Sequence, residues 1–335
     1  MPSTTTKTSP TSPAFSLTRR LACMAAVCTL AVPTLAQIPE NRPLTLVAAA
    51  APGGIGDVAA RSLSDALGKE LDTSVIVENR AGGNGSIAGQ YVARIAPDGL
   101  VLLAQYSGFQ SISPLLQPVS GFDPARNLKP IAMFAEAPQV LVVRSALGIN
   151  SLAELIKYAK AHPGKLNYAS SGNGSVQHVA TELLKQRAGI SMLHIPYRGA
   201  GQAIPDLLSG NVDVFLTTPP PLLGHIRSGK LKALLVTGSN RLSVLPETPT
   251  GKQAGMDLDA SAWIGLYGPV GMSDATVQQI SDAVRKSVGQ DEVRKRFENQ
   301  GAIATFKDAK QLDQLAKQET AKWKDIIRAG NIKAD

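Results

Sequence analysis

The chain has 335 residues, of which 44% are hydrophobic, 18% charged and 4% aromatic, with two cysteines and a formal charge of +8. This is a globular composition long enough for two cores, so two domains are expected. The charges are scattered rather than clustered, which argues against a nucleic-acid face and suits a small anionic ligand, and the few aromatics disfavour a cleft that stacks sugars on rings.

The first stretch differs in kind from the rest. Residues 1–18 are rich in Ser, Thr and Pro; Arg19-Arg20 follow, then the apolar run Leu21 to Val32, then Thr34-Leu35-Ala36. That order is a basic region, a short apolar region and a small-residue cleavage site, so a signal peptide over residues 1–36, cut after Ala36, is expected. The run is too short for a membrane-spanning helix and Pro33 ends it. The arginine pair leaves twin-arginine export open beside the simpler Sec route. Cys23 and Cys28 both lie in this segment, so disulfides, thiol catalysis and Cys-ligated zinc drop out of the mature chain together. Lys7, Arg19 and Arg20 leave with it, which reduces the charge to +5.

Leu44 to Ala51 is apolar apart from Thr45 and reads as a strand buried on both faces. Pro52-Gly53-Gly54 breaks it, and Ala59, Leu63, Ala66, Leu67 and Leu71 recur at helical spacing. A strand, a glycine-rich turn and a helix place free backbone N–H groups at the positive end of a helix dipole, a candidate cradle for a carboxylate or phosphate. A tight βα connection with no ligand is the other reading of the same residues. Ser74 to Glu78 is a second strand, followed by Gly82-Gly83-Asn84-Gly85 and a helix carrying Ala88, Tyr91, Val92 and Ile95. Leu100 to Ala104 is a third, and two βα units in succession predict a parallel sheet.

Val140 to Val143 is a further strand. Ser151 and Glu154 have the spacing of a capping box ahead of Leu152, Leu155, Ile156 and Ala159, with His162-Pro163-Gly164 as the stop. The opening arrangement then recurs: strand Leu166 to Ala169, turn Ser170-Ser171-Gly172-Asn173-Gly174-Ser175, and a helix striped by Val176, Val179, Ala180, Leu183 and Leu184. Strands are expected over Met192 to Ile195, Val212 to Leu216 and Lys232 to Thr237, with helices between them. From Ser273 onward the pattern is helical. The fold class is therefore α/β, with two sheets that each carry a glycine-rich loop at a strand's carboxyl end, where such sheets bind ligands. Two domains of this kind facing each other make a cleft that closes by hinge motion.

A catalytic set is not displayed. The four histidines, His162, His178, His194 and His225, show no His-x-x-x-His spacing, and there is no Gly-x-Ser-x-Gly elbow and no phosphate-binding Gly-x-x-x-x-Gly-Lys-Ser/Thr. Gly83-Asn84-Gly85-Ser86-Ile87-Ala88 fits a dinucleotide fingerprint, but the acidic residue expected about 20 positions later is missing. No metal and no cofactor are expected. An exported enzyme acting on a small organic acid is the alternative reading, with Asp57 and His178 as its actors.

Ala51-Pro52-Gly53-Gly54, Asp57, Val77-Glu78-Asn79-Arg80, Ala96-Pro97-Asp98-Gly99, Phe122-Asp123-Pro124, Asn167-Tyr168-Ala169-Ser170, Gly172-Asn173-Gly174, His194-Ile195-Pro196-Tyr197-Arg198-Gly199 and Trp323 form an ordered set. In order and spacing it resembles the Bug family, the periplasmic solute-binding proteins of tripartite tricarboxylate transporters. The match runs from about Pro43 to Asp335. The resemblance implies a two-domain periplasmic binding protein fold, type II-like. One domain is discontinuous, 37–138 plus 262–335, and the other is 139–261. It also implies a carboxylate held through backbone amides and bridging water by Ala51, Pro52, Gly53, Gly54, Ile55, Gly56 and Asp57 on one side, and by Ser170, Ser171, Gly172, Asn173, Gly174 and Ser175 on the other. His178 and Tyr197, beside the second loop, are expected among the ligand-binding residues.

Two departures alter the far end of that pocket. Tyr106-Ser107-Gly108-Phe109-Gln110 replaces a small polar run, and Thr217 stands where an acidic residue often follows a strand. A bulkier or more apolar acid is therefore expected, although Tyr106 and Phe109 equally suit core packing. The implied setting is the periplasm, with membrane permease subunits or a sensor kinase as partners, no nucleic acid, and a monomer.

Overall fold

The computed structural model describes residues 1–7, 42–256 and 258–333. Met1 to Lys7 have no regular secondary structure, and the arginine pair, apolar run and cleavage site expected between Arg19 and Ala36 lie outside the described residues. All the elements below belong to the unit that begins at Ala36.

The first part of the chain forms β1 (Leu44–Ala48), α1 (Ile55–Glu70), β2 (Val75–Asn79), α2 (Ser86–Ala93), β3 (Val101–Tyr106), α3 (Ser113–Leu116), α4 (Pro124–Asn127) and β4 (Leu128–Ala137). The middle forms β5 (Val140–Arg144), α5 (Leu152–Ala161), β6 (Asn167–Ser170), α6 (Val176–Ala188), β7 (Leu193–Pro196), α7 (Ala200–Ser209), β8 (Val214–Thr217), α8 (Leu223–Arg227) and β9 (Leu231–Val236). The last part forms β10 (Ala262–Pro269), α9 (Asp274–Gly289), α10 (Asp291–Asn299), β11 (Ile303–Asp308) and α11 (Ala309–Ala329).

Two sheets result, one ordered β11-β4-β10-β3-β1-β2 and the other β7-β6-β8-β5-β9. In the first, β1 is parallel to β2 and β3, as expected, and β10 enters antiparallel between β3 and β4. In the second, β6 is parallel to β7 and β8, while β5 is antiparallel to β8 and β9. The turns after β1, β2 and β3 and the end of β4 therefore share one edge of the first sheet. The turn after β6, the end of β8 and the start of β5 share one edge of the second. Only Pro138 and Gln139 separate β4 from β5, so these two edges are neighbours.

Several boundaries differ from the sequence reading. β1 stops at Ala48 rather than running to Ala51, because its partner β2 ends opposite at Asn79 and the Asn79 side chain then takes the Ala50 carbonyl. Ser151 caps α5 by accepting the Glu154 N–H, but the Glu154 carboxylate accepts from Asn150 instead of returning to Ser151, so only half of the expected box forms. The stretch after Ser273 is not wholly helical. Gly301, at φ +67°, turns the chain into β11, which pairs with β4 through an irregular register. A capping box at Asp308 and Gln311 then starts α11.

β1 is buried on both faces. Leu44, Leu46 and Ala48 join a cluster with α1 and α9, and Val47 joins another with Trp263, Tyr267 and Leu312. Two segments bridge the sheets. α11 places Leu312 and Ala316 in that second cluster and Trp323 in the core of the second sheet. Ile112, with Leu115 and Leu116 of α3, also packs in the core of the second sheet.

Candidate ligand-binding site

The first glycine-rich turn is held from within by one carboxylate. Gly53 adopts φ +78° and Gly54 heads α1 without a side chain to cap it. Asp57, 4% exposed in the first turn of α1, accepts the Gly53 N–H at 2.9 Å, Arg61 Nε at 2.8 Å and Asn79 Nδ2 at 2.9 Å. Asn79 also donates to the Ala50 carbonyl and accepts from Arg61. Asp57 is thus a brace that ties the turn to α1 and to the end of β2, and its charge is matched by Arg61. Ala51, Pro52 and Gly53 stay exposed beside it, with Gly54 and Ile55 half-buried.

The second turn is held in the same manner by other chemistry. The Ser170 hydroxyl accepts the Gly172 N–H at 3.1 Å and lies 2.7 Å from His194 Nε2. Gly172 and Gly174 sit at φ +119° and +75°. Ser175 is the N-cap of α6 and accepts the His178 N–H. The Gly174 N–H donates to His178 Nδ1 at 3.3 Å, which fixes that nitrogen as an acceptor. The His178 and His194 rings stack at 4.2 Å and 6°, and His194 stacks in turn on Tyr168 at 4.8 Å. His178, 2% exposed, therefore supports the turn through its backbone.

The other expected residues are dispersed around these turns. Tyr197 pairs its backbone N–H with the Ser170 carbonyl, and its hydroxyl donates to Asp206 on α7. Burial and the Asp206 carboxylate push that phenol up to about 12, and hydrogen bonds from Tyr197 and Asn211 hold the Asp206 carboxyl below its usual value. Thr217, fully buried at the end of β8, accepts a long hydrogen bond from Gln177. Ser107 is buried and accepts from the Trp263 N–H. Phe109, 2% exposed in a π-helical turn, stacks on Phe122 at 6.0 Å and borders a cavity of about 240 Å³. Tyr106 turns its hydroxyl to Asn84, donating to the Asn84 carbonyl at 2.8 Å, and burial raises its pKa well above the ordinary phenol value. Arg61, Asn79, His194, Asn84 and Ser113 support the site without having been singled out from sequence as part of it. Asn79 and His194 stand in the ordered set of motifs and Asn84 in a glycine-rich run that resembles a cofactor fingerprint, but none of these patterns shows which side chain braces a turn, and nothing in the sequence marks Arg61 or Ser113.

Among the described residues, no group of three or more His, Cys, Asp or Glu could hold a metal, and no helix is long and apolar enough to cross a membrane. Backbone amides at two braced turns can hold an anion, while the two side chains an enzyme would need, Asp57 and His178, are engaged in the bracing. The fold and these turns define a two-lobed solute-binding protein of the periplasmic type.

Residues 59–332 match the model of the tripartite tricarboxylate transporter family receptor. Protein BugT of Bordetella pertussis is 32% identical over 324 residues, spanning 95% of this chain and 99% of BugT. MatC of Rhodopseudomonas palustris, solved with bound malate, superposes with a TM-score of 0.78 at 30% identity over 86% of this chain and all of MatC. Rpa4515 of R. palustris, solved with adipate, gives 0.84 at 28% identity over 88% of this chain and 99% of that one. The chain belongs to the tripartite tricarboxylate transporter receptor family, whose members are solute-binding proteins rather than enzymes.

Proposed function

We propose that this protein captures a small carboxylate between its two lobes and closes on it, holding the ligand through backbone amides of residues 51–57 and 170–175. The observation that carries this reading is the pairing of two glycine-rich turns at neighbouring sheet edges. Each is fixed by its own buried side chain, so each meets an anion with its amides already oriented. The lobes are residues 37–138 with 262–335, and residues 139–261, with α11 and residues 112–116 spanning the division. After removal of residues 1–36 the protein works in the periplasm as a monomer, and it hands its ligand to the permease of a tripartite transporter or to a sensor kinase. The binding of malate and adipate by structural relatives supports the carboxylate class. The altered residues at 106–110 and 217 favour an acid bulkier or more apolar than malate.

Native mass spectrometry of residues 37–335, followed by a melting screen against malate, adipate and an aromatic monocarboxylate, tests the reading. A ligand that binds only the folded state adds about 2.7 kcal/mol at a hundredfold excess over Kd. A strong shift with one acid identifies the class. A folded protein that shifts with none overturns the carboxylate assignment.

A further inference from the structure

Gly82, Gly83, Asn84 and Gly85 hold φ values of +115°, +54°, +52° and +101° in succession. Glycine adopts that region without steric cost, and asparagine is tolerated there mainly because its side chain can bond to nearby backbone. Asn84 is the one residue of the four with a side chain, and that side chain bonds to residues distant in sequence. The Tyr106 hydroxyl lies 2.8 Å from the Asn84 carbonyl oxygen and 2.5 Å from its Oδ1, across 22 residues. Asn84 Nδ2 donates to Ser113 Oγ at 3.1 Å, across 29 residues. Backbone geometry alone would favour a fourth glycine, so it is these distant bonds that account for the side chain.

Ser113 leads to the second lobe. It is 5% exposed and opens α3, whose Leu115 and Leu116 pack with Ile112 in the core of the second sheet. A β-carbon on Gly174 would stand 3.3 Å from Ser113 Cα and 3.5 Å from its Oγ, so the second glycine-rich turn lies directly against Ser113. The Gly174 N–H is meanwhile held by His178. A line of contacts thus runs from the end of β3, through the turn after β2, to the turn after β6.

We propose that Asn84 is a positioning residue for the 170–175 turn: bonded to Tyr106 and Ser113, it sets where Ser113 stands against Gly174 and so where the turn's amides meet a ligand from the opposite lobe. The link to ligand affinity rests on the carboxylate reading above, whereas the link to the turn does not. Asn84→Gly is the informative variant, because glycine keeps the left-handed backbone and removes only the side chain. Ser113→Ala removes the acceptor while leaving Asn84 in place.

The experiment compares wild type, Asn84→Gly and Ser113→Ala by the amide resonance and hydrogen exchange of Gly174, by melting temperature, and by affinity for malate and adipate. The expected result is a displaced Gly174 resonance and faster exchange in both variants, with melting within a few degrees of wild type. Whichever acid the wild type binds should bind at least tenfold more weakly to Asn84→Gly. An unchanged Gly174 resonance and exchange in Asn84→Gly overturns the proposal, as does unchanged affinity for an acid that the wild type binds. A wild type that binds neither acid would refute the carboxylate reading for these ligands, and the Gly174 measurement would still decide the role of Asn84.

Discussion

Asp57 and Gly53 are joined by a hydrogen bond of 2.9 Å that runs from the backbone of a turn to a carboxylate inside the helix that follows it. The acidic side chain nearest the first cradle is therefore spent on shaping it. Asp57→Ala leaves the Gly53 N–H, Arg61 and Asn79 each short of a partner, at a cost of about 1–3 kcal/mol for a part-buried group. Urea denaturation should show that loss, together with weakened binding of any carboxylate the wild type holds. Asp57→Asn retains an acceptor for Gly53 and should fall between the two.

His178 serves the second turn in the corresponding way. His178→Phe preserves a ring to stack on His194 but offers nothing to the Gly174 N–H. We expect a loss of about 1–3 kcal/mol, set by the unmatched buried donor, and faster exchange of the Gly174 amide. Stability equal to wild type would show that the contact at 3.3 Å contributes nothing.

The Tyr197 and Asp206 pair gives a pH dependence at both ends of the scale. The Tyr197 phenol is raised from 10.0 to about 12, so its contribution is complete below pH 10 and is lost as the pH climbs through that interval. Asp206 is lowered from 3.8 by hydrogen bonds from Tyr197 and Asn211, so its contribution is present above that value and lost as the pH falls further. In Tyr197→Phe the alkaline loss should shrink, and the Asp206 carboxyl should titrate closer to its ordinary value when followed by NMR. An Asp206 midpoint that does not move would exclude the bond as the cause.

Trp323 is 1% exposed and donates from its indole nitrogen to Glu319 at 2.7 Å. Trp323→Ala should cost about 3–5 kcal/mol, as large-to-small changes of buried aromatics do, and it removes one of two tryptophans. Guanidinium unfolding followed by circular dichroism measures the loss independently of fluorescence.

The strand, glycine turn and helix at residues 44–71 and again at 166–184 were legible because buried parallel strands are continuous in apolar residues and their helices carry a stripe. β11 was not: Ile303 to Asp308 is short, half-exposed and pairs with a register shift, so neither alternation nor an apolar run marks it. In the candidate site the two turns were legible and the orientation of their neighbouring side chains was not. Asp57 and His178 stand where a ligand contact would stand, and only their packing shows that each faces its own turn. Phe109 was ambiguous for a like reason, since its direction is set by the π-helical turn and by Phe122, 13 positions further on.

α11 spans two hydrophobic clusters, with Leu312 and Ala316 in one and Trp323 in the other. Neither sheet has a complete core without it. The consequence is cooperative: melting either lobe strips the helix from the other, so heat should remove both in one calorimetric peak whose van't Hoff and calorimetric enthalpies agree. A receptor built this way has no half-folded state in which one lobe persists alone to offer an open sheet edge to proteases or to other chains.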